Sequence, residues 1–256
     1  MMLFSAKTDT GRVRSANQDT FSTLQVSDKL AFFLVCDGMG GANGGEEASR
    51  IACEVATASI KRDLDVLLGD SELDADKYMP KILAFAAREA NLAVYDRAQE
   101  DTSLTGMGTT FVGAVIYGDT LYAVNIGDSR LYIITKDDAI QVTRDHSYVQ
   151  YLVDIGVITS SQAEMSSKRN IITRAIGTDE AVEPDTYTVT LEPDSYILLC
   201  SDGLSTMIDR TELTRIVHGP GDLETKVSSL IEAANENGGR DNITVILVDA
   251  SSTNNA

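Results

Sequence analysis

Apolar runs of five to seven residues recur along the chain: 31–36 (AFFLVC), 111–117 (FVGAVIY), 121–126 (LYAVNI), 131–135 (LYIIT), 186–191 (TYTVTL), 196–200 (YILLC) and 243–248 (ITVILV). Several are flanked by Gly, Asp or Ser, and their β-branched and aromatic content reads as strand. A further strand, 20–26, follows Asp19. Helical spacing takes over in 79–98, where Met79, Ile82, Leu83, Ala86, Ala90, Ala93 and Val94 share a face. The segment 223–236 repeats it with Leu223, Val227, Leu230, Ile231 and Ala234. A third helix, roughly 45–62, carries Ala48, Ile51, Ala52, Val55 and Ala58 on one side, small enough to pack closely on a sheet. Neighbouring strands are joined by short turns, as at Gly118-Asp119. That predicts antiparallel pairing, since a parallel pair needs a long crossover. Helices and strands are segregated, so the fold class is α+β: antiparallel sheets stacked as a sandwich, with helices covering the outside.

No Pro-rich linker, fixed repeat or low-complexity stretch interrupts this pattern. Residues 1–250 read as one domain and 251–256 (SSTNNA) as a polar tail. The 256 residues carry 21 Lys and Arg against 39 Asp and Glu, a formal charge of −18. That balance argues against nucleic acid as a partner, because phosphates are repelled. A protein of this charge that handles phosphate needs local cations or bound metal. No run approaches ~18 uncharged apolar residues, so no membrane span is expected. The N-terminus lacks a basic stretch followed by an apolar one, so no signal peptide is expected. The three Cys (Cys36, Cys53, Cys200) are scattered and make no disulfide framework, which fits a reducing, cytoplasmic location.

The chemistry collects where the apolar strands end. AFFLVC runs into Asp37-Gly38, YILLC into Ser201-Asp202-Gly203, and LYAVNI into Gly127-Asp128-Ser129. Asp19 and Asp241 each stand just before a strand. In antiparallel sheets the end of one strand neighbours the start of the next, so all five carboxylates can converge on one edge. Such a cluster cannot stay ionised without counter-charge. Lys or Arg could supply it, or a metal; oxygen ligands select hard cations such as Mg²⁺, Mn²⁺ or Ca²⁺. Two His and three Cys offer no zinc spacing.

Six short motifs occur in order: Arg14-Ser-Ala-Asn17-Gln18-Asp19, Asp37-Gly38-Met39-Gly40-Gly41, Gly106-Met107-Gly108-Thr109-Thr110, Gly127-Asp128-Ser129-Arg130, Ser201-Asp202-Gly203-Leu204 and Gly239-Arg240-Asp241-Asn242-Ile243-Thr244. Their order and spacing, from about residue 8 to 249, resemble the metal-dependent protein phosphatase family (PPM, type 2C), and in particular its compact bacterial members. The resemblance implies a β-sandwich flanked by helices on both outer faces, a small flap near a two-metal centre, and a serine/threonine protein phosphatase that uses Mn²⁺ or Mg²⁺. It implies that Asp37 bridges two ions, that the Gly38 carbonyl ligates one, and that Asp202 and Asp241 complete the first. Asp128 and Asp202 would hold a third, weaker ion. Asp19 would act through bound water, and Gln18, where many members carry Glu, would hydrogen-bond one. Arg14 matches the family's phosphate-binding arginine, and its planar fork suits a phosphoryl group. The implied chemistry is in-line attack on phosphorus by a water activated between the ions, without a covalent intermediate. Phosphorylated proteins are the implied substrates, and a serine/threonine kinase is the functional counterpart.

Met39 stands where eukaryotic members often carry a His proposed as general acid, so leaving-group protonation is expected from water. Residues 146–177 include the family's variable flap. There Lys168 and Arg169, with Arg174, read either as solvated charges on an exposed helical hairpin or as a cationic wall that receives the phosphorylated substrate in an otherwise acidic chain. Blander readings fit the rest. Asp145-His146-Ser147 reads as a surface turn or helix cap, and no G-x-S-x-G supplies a nucleophile elbow. The stretch 70–76 (DSELDAD) reads as a solvated loop, since Ala75 stands where a calcium loop needs Gly. The glycine-rich 38–45 lacks the Lys of a P-loop and reads as flexible access to the metals. Cys36 and Cys200 read as packing residues, and Met107 as a turn residue packed near the sheet. A catalytically inactive binding module and a phosphatase for small phosphate esters are the alternatives. The first would show the loss of a metal carboxylate, and Asp37, Asp202 and Asp241 are all present.

Overall fold

Strand parity decides how this chain layers. The computed structural model describes residues 2–70 and 73–250. The expected tail 251–256, and Ser71 and Glu72 of the acidic 70–76 stretch, lie outside them. Strands β1 (Leu3–Asp9), β2 (Asp19–Ser27) and β3 (Leu30–Met39) are followed by helices α1 (Gly41–Gly69) and α2 (Ala75–Glu100). Then come β4 (Gly108–Thr109), β5 (Phe111–Tyr117), β6 (Thr120–Ile126), β7 (Arg130–Ile134) and β8 (Ala139–Gln141). Helices α3 (Tyr148–Asp154) and α4 (Ser160–Glu164) precede β9 (Asp185–Thr190) and β10 (Tyr196–Cys200). Helices α5 (Asp202–Ser205), α6 (Arg210–Val217) and α7 (Leu223–Glu236) lead into β11 (Ile243–Asp249).

Two antiparallel sheets result. One runs β1-β11-β10-β7-β8; the other runs β2-β3-β5-β6-β9, with β4 added beside β3. On β3, Leu30, Phe32, Leu34 and Cys36 join the cluster under α1 and α2, while Ala31, Phe33 and Val35 point between the sheets. On β10, Ile197 and Leu199 face the inter-sheet layer, and Leu198 and Cys200 face α6 and α7. Both faces of the central strands are therefore covered, which explains why they read as continuous apolar runs rather than alternating ones. The expected sandwich with helices on both outer faces is what the chain forms. Each fully buried Leu, Ile or Phe in it contributes roughly 1.5–3 kcal/mol, a core large enough to hold like charges together at its end.

The helix expected at 223–236 has those bounds, and 79–98 extends to Ala75–Glu100. The third helix is longer than its apolar stripe suggests, because it begins at Gly41, inside the glycine-rich stretch. Within it, Gly38, Gly40, Gly44 and Gly45 are closely packed against neighbouring backbone or side chains. A side chain at Gly45 would meet the Gly38 carbonyl carbon at 2.7 Å and the Met39 nitrogen at 2.8 Å. Gly45 is the position that lets α1 abut the strand carrying Asp37. The flap is a closed excursion. Tyr148 N–H donates to the Ile171 carbonyl and Thr173 N–H to the His146 carbonyl, each at 2.8 Å, so its two ends are pinned together at Ser147 and Ile172.

Candidate metal centre

Asp37 continues the parity of Ala31, Phe33 and Val35, so β3 delivers its carboxylate to the end of the inter-sheet layer. Asp19 is its register partner on β2. Asp202 opens α5 directly after β10, and Asp241 sits two residues before β11. Asp128 lies in the turn between β6 and β7. The turn residues end at one edge, as antiparallel pairing requires. A cavity of about 520 Å³ opens there, lined by Asp37, Asp128, Asp202 and Asp241 together with Arg14, Gln18 and the Gly38-Met39-Gly40 backbone. Asp19 lies beneath it, 7% exposed.

The fold braces these groups from behind. Asp19 Oδ2 accepts from Ser201 Oγ and from Thr244 Oγ1, both at 2.7 Å and both on the opposite sheet's strand ends. Asp37 is held by its backbone. Thr110 Oγ1 takes its N–H at 2.9 Å, while Thr110 N–H and Thr109 Oγ1 donate to its carbonyl, both at 2.9 Å. The Thr pair of the Gly106–Thr110 motif is thus a brace, and Thr110 in turn meets Ser129 Oγ at 2.7 Å. Asn242 Nδ2 donates to the carbonyls of Thr10 and Ala16, and its Oδ1 accepts the Gln18 N–H. One side chain therefore fixes the loop that carries Arg14.

The carboxylates around the cavity perturb one another. Burial, then Asp19, Asp202, Asp128 and Asp241 in turn, pushes the Asp37 carboxyl well above its ordinary range. Burial, Asp202 and Asp145 push Asp128 up to about 8. Burial, Asp241 and Asp19 push Asp202 up to about 6. Burial raises Asp19 to about 6 against the pull of its two hydroxyl donors. Asp19 Oδ1 is buried with no hydrogen-bond partner, a cost of about 1–3 kcal/mol for a neutral acceptor and more for a charged one. A hard divalent ion bound by oxygen atoms answers both observations. Among the described residues no three acidic, His or Cys side chains close into a ready metal cage. The carboxylates ring the cavity wall instead, near enough to raise one another's pKa.

Arg14 reaches the same cavity, where its Nη2 donates to Asp241 Oδ2 at 2.8 Å. Of the three flap cations, Arg174 pairs with Asp185 at 2.8 Å, and Arg169 lines an adjoining cavity of about 1000 Å³ that shares Asp128, Asn170 and Asp202 with the first. Lys168 lines neither; its Nζ lies 5.4 Å from the Tyr148 ring centre. Cys36 and Cys200 are buried, and so is Met107.

Asp145-His146-Ser147 corrects the surface reading. Ser147 caps α3, but His146 is only 7% exposed, and Asp145 grips Arg130 through contacts of 2.7, 3.0 and 3.1 Å. The signal was present as a charged pair, Arg130 and Asp145, in an apolar neighbourhood, but sequence separation hid it. Neither His lines this cavity. His218 packs edge-on against Tyr196.

Comparison with known proteins agrees with this architecture. The family model described as Protein phosphatase 2C matches residues 10–247. The serine/threonine phosphatase stp of Listeria innocua is 35% identical over 243 residues, which are 95% of this chain and 94% of that one. The crystal structure of serine/threonine phosphatase Stp1 from Staphylococcus aureus superposes with a TM-score of 0.86 at 34% identity, covering 97% of this chain and 95% of that one. The catalytic domain of serine threonine protein phosphatase PstP, solved in complex with 2 manganese ions, has a TM-score of 0.80 at 32% identity, with 97% of each chain covered.

Proposed function

Because the chain belongs to the protein phosphatase 2C family and is a metal-dependent protein serine/threonine phosphatase, we propose that Asp37, Asp202, Asp241 and the Gly38 carbonyl hold its two core ions, with Mn²⁺ or Mg²⁺ as the metal. Asp128, with Asp202, is read as holding a third, weaker ion. The observation that carries this reading is the gathering of buried, mutually repelling carboxylates around one cavity, with an Asp19 oxygen left without a partner. When bound, such ions lower the pKa of a coordinated water and neutralise charge on the phosphoryl group.

The chain's own residues supply the rest. Arg14 spends one donor on Asp241, and its remaining N–H groups bind and orient phosphoryl oxygens at the mouth. Asp19 holds a water with its free Oδ1, and Gln18 steadies a second by hydrogen bonding. Thr109 and Thr110 keep Asp37 from turning away under repulsion. Among the described residues the lining contains no His, Cys, Lys or Tyr, and Met39 cannot give a proton, so the leaving alkoxide takes its proton from water. Arg169, in the adjoining cavity, faces the protein part of the substrate, with Lys168 as an outer charge.

The substrates are phosphoserine and phosphothreonine proteins, and the enzyme opposes a serine/threonine kinase in the cytoplasm. No helix among the described residues is long and apolar enough to cross a membrane. Hydrolysis of a phosphothreonine peptide, measured with Mn²⁺ and again after chelation, tests the reading. Chelator-sensitive turnover that exceeds turnover of a nucleotide or sugar phosphate is expected; equal or greater turnover of the small esters would replace it.

A further inference from the structure

The turn that carries Asp128 hangs on a single glycine. Gly127 adopts φ +104, a left-handed conformation that leaves its N–H buried and aimed away from the strand ladder. His146 pairs with both of its backbone groups, sharing the carbonyl with Asn125 Nδ2 at 3.2 Å. Gly127 N–H donates to His146 Nδ1 at 3.1 Å, and His146 N–H donates to the Gly127 carbonyl at 2.8 Å. Because Nδ1 accepts, the neutral ring carries its proton on Nε2. That nitrogen faces Asp185 Oδ2 at 3.2 Å. Arg174 Nη1 lies 3.1 Å from the same nitrogen and donates to Asp185 Oδ1 at 2.8 Å, so Asp185 faces both neighbours and answers the charge of Arg174. The His146 carbonyl accepts from Thr173, at the returning end of the flap. Burial, with Arg174 close by, favours the neutral ring over the opposing pull of Asp185. A second proton would set an N–H against the Gly127 N–H.

We propose that His146 is a positioning residue: it clamps Gly127, fixes the direction of the Asp128 carboxylate, and ties that turn to the base of the flap. Removing a group that orients a metal ligand from behind costs typically ~10–100-fold in metal affinity. The proposal rests on the reading of Asp128 as ligand to the weakest ion.

Two substitutions separate the clamp from mere packing. In His146→Asn the amide oxygen reaches the Nδ1 position and keeps the Gly127 bond. In His146→Gln the amide reaches the Nε2 position, and the Gly127 N–H is left without a partner. In calorimetric Mn²⁺ titrations, His146→Gln should weaken the weakest site by roughly 10- to 100-fold with the tight sites unchanged, while His146→Asn stays close to wild type. Wild-type weak-site affinity in His146→Gln, or equal losses in both variants that follow a fall in Tm, would overturn the proposal. Asp128→Ala serves as the control for the ligand reading. If that variant keeps the weakest site, the ligand reading fails by itself, and hydrogen exchange of the Gly127 amide decides the clamp. Exchange faster in His146→Gln than in His146→Asn supports it, and equal exchange in the two refutes it.

Discussion

Asp19 and Asp37 are register partners on β2 and β3, and Asp19 also accepts hydrogen bonds from Ser201 and Thr244 of the opposing sheet. One carboxylate thus joins the two sheets while standing beside Asp37, whose carboxyl is pushed well above its ordinary range by burial and neighbouring carboxylates. The sandwich is stapled at the place where its buried carboxylates gather. Binding of a cation and stability of the fold are therefore linked.

The linkage has a sign. Without a metal, burial and neighbouring carboxylates push Asp128 up to about 8 and Asp202 up to about 6, above the ordinary value of 3.8. Between these limits the folded state binds more protons than the unfolded one, so stability falls as pH rises. The Tm of chelator-treated protein should decline from pH 5 to pH 8.5, and saturating Mn²⁺ at the upper end should restore it. Asp128→Ala should flatten the part of the decline near 8. A Tm that rises over this window in the chelated protein would contradict the burial of these carboxylates as charged groups.

Asp202→Asn and Asp241→Asn each remove one anionic ligand assigned to the first ion. Both should lose most turnover and bind Mn²⁺ more weakly by calorimetry. Near-normal turnover in both at saturating Mn²⁺ would move the centre elsewhere.

Arg14→Ala should raise KM for a phosphopeptide and lower kcat/KM by roughly 10- to 100-fold, the loss of one charge-assisted contact. Steady-state kinetics on one peptide suffices. An unchanged KM would mean that the guanidinium serves Asp241 rather than phosphate.

The flap cations should not be equivalent. Arg169 lines the cavity adjoining the one ringed by Asp37, Asp128, Asp202 and Asp241, whereas Lys168 rests by Tyr148. Arg169→Glu should slow hydrolysis of a phosphoprotein more than of a small aryl phosphate, because charge there acts on encounter with a large partner. Lys168→Glu should have the smaller effect. Equal losses on both substrates for Arg169→Glu would indicate a folding or catalytic defect.

Gly45→Ala places a methyl group against the backbone of Gly38 and Met39. Overpacking of this kind costs about 1–3 kcal/mol. It also shifts the carbonyl assigned to the metal, so a lower Tm should come with weaker Mn²⁺ binding. A lower Tm with unaltered metal affinity would separate Gly38 from the centre.

The strands that build the site were legible because both of their faces are buried. β3, β5, β6, β10 and β11 read as apolar runs; β3, β6 and β10 each end at a turn that carries chemistry, and β11 follows Asp241. β1 was not legible, because LFSAKTD is an edge strand, half-exposed and paired only with β11. β8 and the short helices α3, α4 and α6 are too brief for a periodicity to emerge. The five aspartates were visible as an acidic set on one edge, but their ligand roles came from family resemblance, since spacing alone carries no distance. Asp145 and His146 were passed over for the same reason. Their partners, Arg130 and Gly127, lie 15 and 19 residues away, and only the closed sandwich brings them together.

Anomalous diffraction from a Mn²⁺-soaked crystal of the protein tests the central claim most directly. The strongest peaks should lie within bonding distance of Asp37, one shared with the Gly38 carbonyl and at least one touching Asp202 and Asp241. Peaks outside this cavity, or a cavity that stays empty while Mn²⁺ sustains phosphopeptide hydrolysis, would contradict the assignment of these carboxylates as the metal centre.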